Sequence, residues 1–97
     1  MDFMGFEYYI YVERPRHPNW LGFLFWDGDC WRVASVEDVS FEEAELTADD
    51  ALVAIGSPFA AQCVARGYHL SVKRFPKHEE HPDYGQGKEI WTSGPRL

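Results

Sequence analysis

The chain has 97 residues, a mass of 11.2 kDa and a formal net charge of -7, with 45% apolar and 16% aromatic residues. That length accommodates a single domain, residues 1–97, and the aromatic content excludes a disordered tail. The acidic balance disfavours a protein that grips nucleic acid through its own phosphate contacts.

The first residues, Met1-Asp2-Phe3-Met4, hold an acid and no basic stretch ahead of an apolar run, so no secretory signal is expected. No apolar stretch approaches the roughly 20 residues that cross a bilayer. Cys30 and Cys63 fit no CxxC spacing, which points to reduced, buried thiols and a cytoplasmic protein.

Phe6 to Glu13 alternates with period two and predicts a strand. Phe6, Tyr8, Ile10 and Val12 fall on one face, Glu7, Tyr9, Tyr11 and Glu13 on the other. Arg14 to Asn19 holds two prolines and reads as a loop. Leu21–Trp26 and Asp29–Val33 flank Asp27-Gly28, the signature of a two-residue type I′ hairpin. That register sets Trp26 opposite Asp29 and Leu24 opposite Trp31. Leu24, Trp26, Trp31 and Val33 then share one face; Phe23, Phe25, Cys30 and Ala34 share the other.

Ser35 to Glu45 reads as a loop or a short edge strand. Thr47 followed by Asp50 resembles a helix N-terminus, but the five apolar residues Ala51–Ile55 fit a short strand equally well. Ser57-Pro58 opens a clearer helix that Gly67 stops, with Phe59, Ala60, Cys63 and Val64 on one face. Tyr68–Phe75 predicts a strand with Tyr68, Leu70 and Val72 inward. Residues 76–87 predict a long polar loop, Lys88–Thr92 a closing strand, and 93–97 a loose tail. The expected class is α+β: a mainly antiparallel sheet of four to five strands with one or two short helices on one face.

The charge is unevenly placed. Residues 27–50 carry nine acids and only Arg32, whereas the rest of the chain carries seven acids and eight bases. From Glu37 to Asp50 there are seven acids and no base. Two readings of this block stand open. It is a solvated edge that keeps sheets from pairing, or it is a docking face for a basic protein surface. In the second reading Glu37, Asp38, Glu42, Glu43, Glu45, Asp49 and Asp50 supply charge and Phe41 adds apolar contact. Carboxylates on one face of a strand repeat every ~7 Å, comparable with phosphates along DNA. Two basic spots, Arg14-Arg16-His17 and Lys73-Arg74-Lys77, are each too small for duplex recognition and are candidates to pair with the block.

His78 and His81, with Asp83, His69 or His17, are weak metal-ligand candidates, because HEEH is not a zinc pattern and Pro82 opposes a helix there. The same histidines with Glu79 and Glu80 could serve as acid–base groups. No nucleophile motif is present, and Gly85-Gln86-Gly87-Lys88 is too short to cradle phosphate. No enzyme and no cofactor are therefore expected. Tyr9, Tyr11 and Trp20 are read as interface anchors or as platforms for a sugar or base; alternatively Tyr9 and Tyr11 face a helix and belong to a two-sided core.

In composition and charge layout alone, the chain resembles small acidic inhibitors of phages and mobile elements, including anti-CRISPR and anti-restriction proteins, some of which mimic DNA. No residue carries over from that likeness. It implies a non-enzymatic inhibitor that binds the basic surface of a nucleic-acid-handling protein without touching nucleic acid or membrane itself. The alternatives are an immunity protein that neutralises a basic toxin, and a metal- or ligand-binding module at the His78/His81 loop.

Overall fold

The computed structural model describes residues 5–94. In chain order the elements are β1 (Phe6–Arg14), β2 (His17–Trp26), β3 (Trp31–Ser35), α1 (Phe41–Ala44), α2 (Ala48–Ile55), α3 (Pro58–Ala65), β4 (His69–Pro76) and β5 (Lys88–Thr92). The strands form one five-stranded sheet in the order β3-β2-β1-β4-β5, antiparallel throughout. This is the α+β architecture the sequence predicts. The helices number three, and they occupy both faces of the sheet.

The alternation of β1 sorts the two layers. Ile10 and Val12 meet Leu24, Leu70 and Val72 from neighbouring strands and Ala51, Ala54, Ala60 and Cys63 from α2 and α3. Tyr9, on the opposite face, joins Phe23, Val39 and the α1 residue Ala44 in a second core. Tyr9 is therefore an interior residue of a two-sided core. Side chains of successive strand residues point to opposite faces, so one strand feeds both cores.

The three helices are capped by short polar side chains. The Ser57 hydroxyl accepts from Ala60 N at 3.2 Å and donates to the Ala54 carbonyl at 2.6 Å, joining α2 to α3. Thr47 Oγ1 accepts from Asp50 N at 3.1 Å, which makes Ala51–Ile55 helical. Gly67 leaves α3 in the left-handed region at φ 91°.

Several local expectations are corrected. The anticipated loop over 14–19 is a two-residue turn: Pro15 takes the second position and Arg16 the left-handed third at φ 64°, as a type II turn requires. Asp27-Gly28 is not a two-residue hairpin. Asp27 Oδ1 accepts from Asp29 N at 2.8 Å and Cys30 N at 2.9 Å, closing a loop of Asp27–Cys30. Trp26 therefore faces Trp31 and Leu24 faces Val33, two residues from the expected register. The segment 35–45 is neither loop nor edge strand throughout, because Ser40 and Glu43 form a reciprocal capping box that starts α1. Val64, expected on the inner face of α3, is exposed, and so is Cys30, expected buried, because it lies in the Asp27–Cys30 loop.

Leu46 connects the two layers. It exchanges both backbone hydrogen bonds with Tyr8, at 2.9 and 3.1 Å. That bridge sits where β1 has run past its pairing with β2, which begins at Ile10 and Leu24. The chain passes there from α1 on one face to α2 on the other. At the far end, Ser93 N donates to the Leu70 carbonyl at 2.9 Å and Ser93 Oγ accepts from Leu70 N at 2.9 Å. Pro95–Leu97 of the expected tail lie outside the described residues.

Candidate functional site

The acidic block does not form one flat array. Glu37 and Asp38 sit in the exposed turn after β3; Phe41, Glu42 and Glu43 lie on α1, and Glu45 caps its end. Asp49 and Asp50 occupy the first turn of α2, which belongs to the opposite layer. The strand spacing of ~7 Å does not apply, since the carboxylates ride on a turn and two helices. Some are already engaged within the fold. Glu43 Oε2 accepts from Ser40 N at 3.1 Å, and Glu45 lies 3.8 Å from Lys77 Nζ. The second pairing joins the block to one of the basic spots noted in the sequence.

What α1 builds with the sheet is a cleft of about 330 Å³ lined by Glu7, Tyr9, Phe41, Glu42, Glu45 and Phe75. Its aromatic floor is continuous. The Tyr9 ring lies 5.2 Å from Phe41, 5.6 Å from Phe75 and 5.9 Å from Phe23, and Phe41 meets Phe23 edge-on at 5.5 Å. Tyr9–Phe23 is tilted; the other three contacts are T-shaped and place a positive ring edge against a negative ring face. Gly87 closes over Phe75, whose Cζ would stand 2.4 Å from a Cβ at that position. Phe41 nevertheless remains 58% exposed. It is a large ring held in place by its neighbours yet open to solvent.

Carboxylates rim this floor. Glu7 stands within hydrogen-bonding reach of both Glu45 and Tyr9, and burial together with Glu45 holds its carboxyl above the usual range. Burial first and Glu7 second push the Tyr9 hydroxyl upward, so it stays a neutral donor. Two carboxyls that share a site resist double ionisation and gain from nearby cations; Lys77, beside Glu45, supplies one from within the chain and opposes the rise at Glu7 only in part. A guanidinium or ammonium fits both the charge and the ring faces. Sequence reasoning chose Phe41, Glu42 and Glu45 here and named Tyr9 separately as an anchor or core residue, but missed Glu7 and Phe75. The alternation of β1 already set Glu7 beside Tyr9; the pairing of Glu7 with Phe75 across β1 and β4 completes the set.

The histidines of the His78 loop close its own turns. His78 Nδ1 accepts from Glu80 N at 3.2 Å and His81 Nδ1 from Asp83 N at 3.0 Å. The His81 ring also meets Phe6 edge-on at 5.8 Å. Among the described residues no three His, Cys, Asp or Glu side chains gather as a metal-ligand set, and none of the helices is long and apolar enough to cross a membrane.

No protein-family model, curated protein or solved structure matches the chain.

Proposed function

We propose that the protein is a non-enzymatic interaction module that docks onto a basic surface of a partner protein through the α1 face. The observation that carries this reading is the exposed Phe41 ring, braced by Tyr9 and Phe23 and bordered by Glu7, Glu42 and Glu45. An aromatic anchor among carboxylates matches a Lys/Arg-lined groove of the kind that holds nucleic acid. The mode of action is occlusion. The acidic face occupies that groove, so the protein acts as a small cytoplasmic inhibitor of a nucleic-acid-handling partner, in the manner of anti-defence proteins of phages. Glu37 and Asp38 extend the negative field and steer encounter. Asp49 and Asp50, on the other layer, contribute to that field at longer range.

The test is capture of the partner from host lysate at low and high salt, with duplex DNA as competitor. Capture is expected to fall steeply with salt and to be reversed by the DNA. The pair Phe41→Ala and Glu42→Gln is expected to abolish it; loss of the Phe41 contacts with Tyr9 and Phe23 costs about 1–3 kcal/mol of stability, and a melting curve checks that the double variant is still folded at the assay temperature. Retention of the partner by this double variant, or a complex indifferent to salt, refutes the reading.

A further inference from the structure

The opposite face of the sheet carries a second concavity with the reverse charge. A cleft of about 620 Å³ lies between β2, β3 and α3 and is bordered by Trp20, Trp31, Phe59 and Tyr68. Arg14, at the end of β1, and Arg66, at the end of α3, stand at the same cleft, with Gln62 beside them. Asp and Glu are absent from its lining. In a chain of net charge -7 this is a local excess of positive charge.

Neither arginine is neutralised within the fold. The Arg14 guanidinium lies 5.3 Å over the Trp20 ring, and neither Arg14 nor Arg66 belongs to an ion pair among the described residues. Arg32, at the rim, differs: its guanidinium is paired with Asp27. The Trp20 wall is set by Gly22. A Cβ there would stand 2.4 Å from the Trp20 Cη2 and 2.6 Å from the Ala34 carbonyl, so the end of the indole occupies the space that a side chain at position 22 would take.

We infer that this cleft binds a nucleotide, with the base against the aromatic wall and the phosphate on Arg14 and Arg66. Rings recognise a planar base by stacking, and guanidinium recognises phosphate through paired donors. The volume lies within the range of small-ligand pockets, ~300–1,000 Å³. A mononucleotide suits the protein better than a nucleic-acid strand, because the net charge of -7 repels a long polyanion that the short cleft cannot compensate.

The test is a titration of the purified full chain with AMP, GMP, CMP and UMP, followed by tryptophan fluorescence. At least one is expected to quench Trp20 and Trp31 saturably. The matching nucleoside and inorganic phosphate are each expected to bind about ten-fold more weakly or worse, because each satisfies only half of the site. Arg66→Ala and Arg14→Ala are each expected to weaken binding about ten-fold. Arg66 is exposed, so an unchanged melting curve for that variant separates lost binding from lost fold. Absence of saturation by all four nucleotides overturns the inference, as does indifference to both arginine variants. A single-stranded oligonucleotide that binds where mononucleotides do not also overturns it, in favour of a nucleic-acid surface.

Discussion

The α1 face and the α3 face of the sheet are built from the same kind of material and carry opposite charge. Each presents aromatic rings seated on the sheet: Tyr9, Phe41 and Phe75 on one side, Trp20, Trp31 and Tyr68 on the other. Glutamates rim the first and arginines the second. The segregation follows from strand geometry. Glu7 and Tyr9 belong to one face of β1, and Arg14 follows Val12 on the other. A single net charge therefore conceals a polar molecule. The -7 describes neither face, and an acidic composition that disfavours nucleic-acid strands is compatible with a local site for a small anion.

Adjacent residues in β2 allow the two faces to be broken separately. Phe23 is 1% exposed and supports Tyr9, Tyr11 and Phe41. Phe23→Ala is expected to cost about 3–5 kcal/mol, the range for a buried Phe whose neighbours relax only in part. That is a large share of the stability of a small domain. Urea unfolding measures it, and a loss below about 1 kcal/mol would mean that α1 does not depend on this ring. The acidic face is expected to lose partner binding with it.

Gly22 points the other way. Gly22→Ala is expected to cost about 1–3 kcal/mol through overpacking, because the Ala34 carbonyl is backbone and cannot swing aside as the Trp20 ring can. Its signature is a changed tryptophan emission and a weakened nucleotide titration, with the α1 face unaltered. Equal damage to both faces would show that the two cores are one cooperative unit with respect to ligands as well as folding.

Much of this arrangement was legible in the residues, for reasons that vary by element. Ser57, Pro58 and Gly67 mark α3 by chemistry that acts within a few residues, and β1 announces its faces by period two. The β2–β3 register was not legible. Registers two residues apart keep every side chain on its face, so alternation cannot choose between them. The choice lies with the Asp27 side chain, which closes the longer loop, and with the Trp26–Trp31 contact at 5.1 Å. Helix α1, at four residues, is too short for a period; Ser40 and Glu43, spaced as a capping box, were the signal available for it. The candidate sites divide in the same way. Phe41, Glu42 and Glu45 are close in sequence and visible as a block. Arg14 and Arg66 come to line one cleft only once α3 is packed on the sheet, and no local pattern announces that.

The finest distinction between the faces lies in how Glu7 titrates. Burial, then the neighbouring Glu45, hold its carboxyl above the ordinary value of 4.5 in the folded protein. A raised folded value means that the native state binds this proton more tightly than the unfolded chain does. Stability is therefore fullest below 4.5 and is lost as pH rises from there through the folded value. Glu7→Gln keeps a hydrogen-bonding group toward Glu45 and Tyr9 and removes the charge. The variant is expected to match the parent in acid, to gain over it as pH climbs through that window, and to hold a constant small advantage at neutral pH. Thermal melts of both proteins across pH 3 to about 8 read the difference. A difference that does not vary with pH would mean that Glu7 is as well solvated as in the unfolded chain, and the acidic cleft would then lack the crowded carboxylates that make it receptive to a cation.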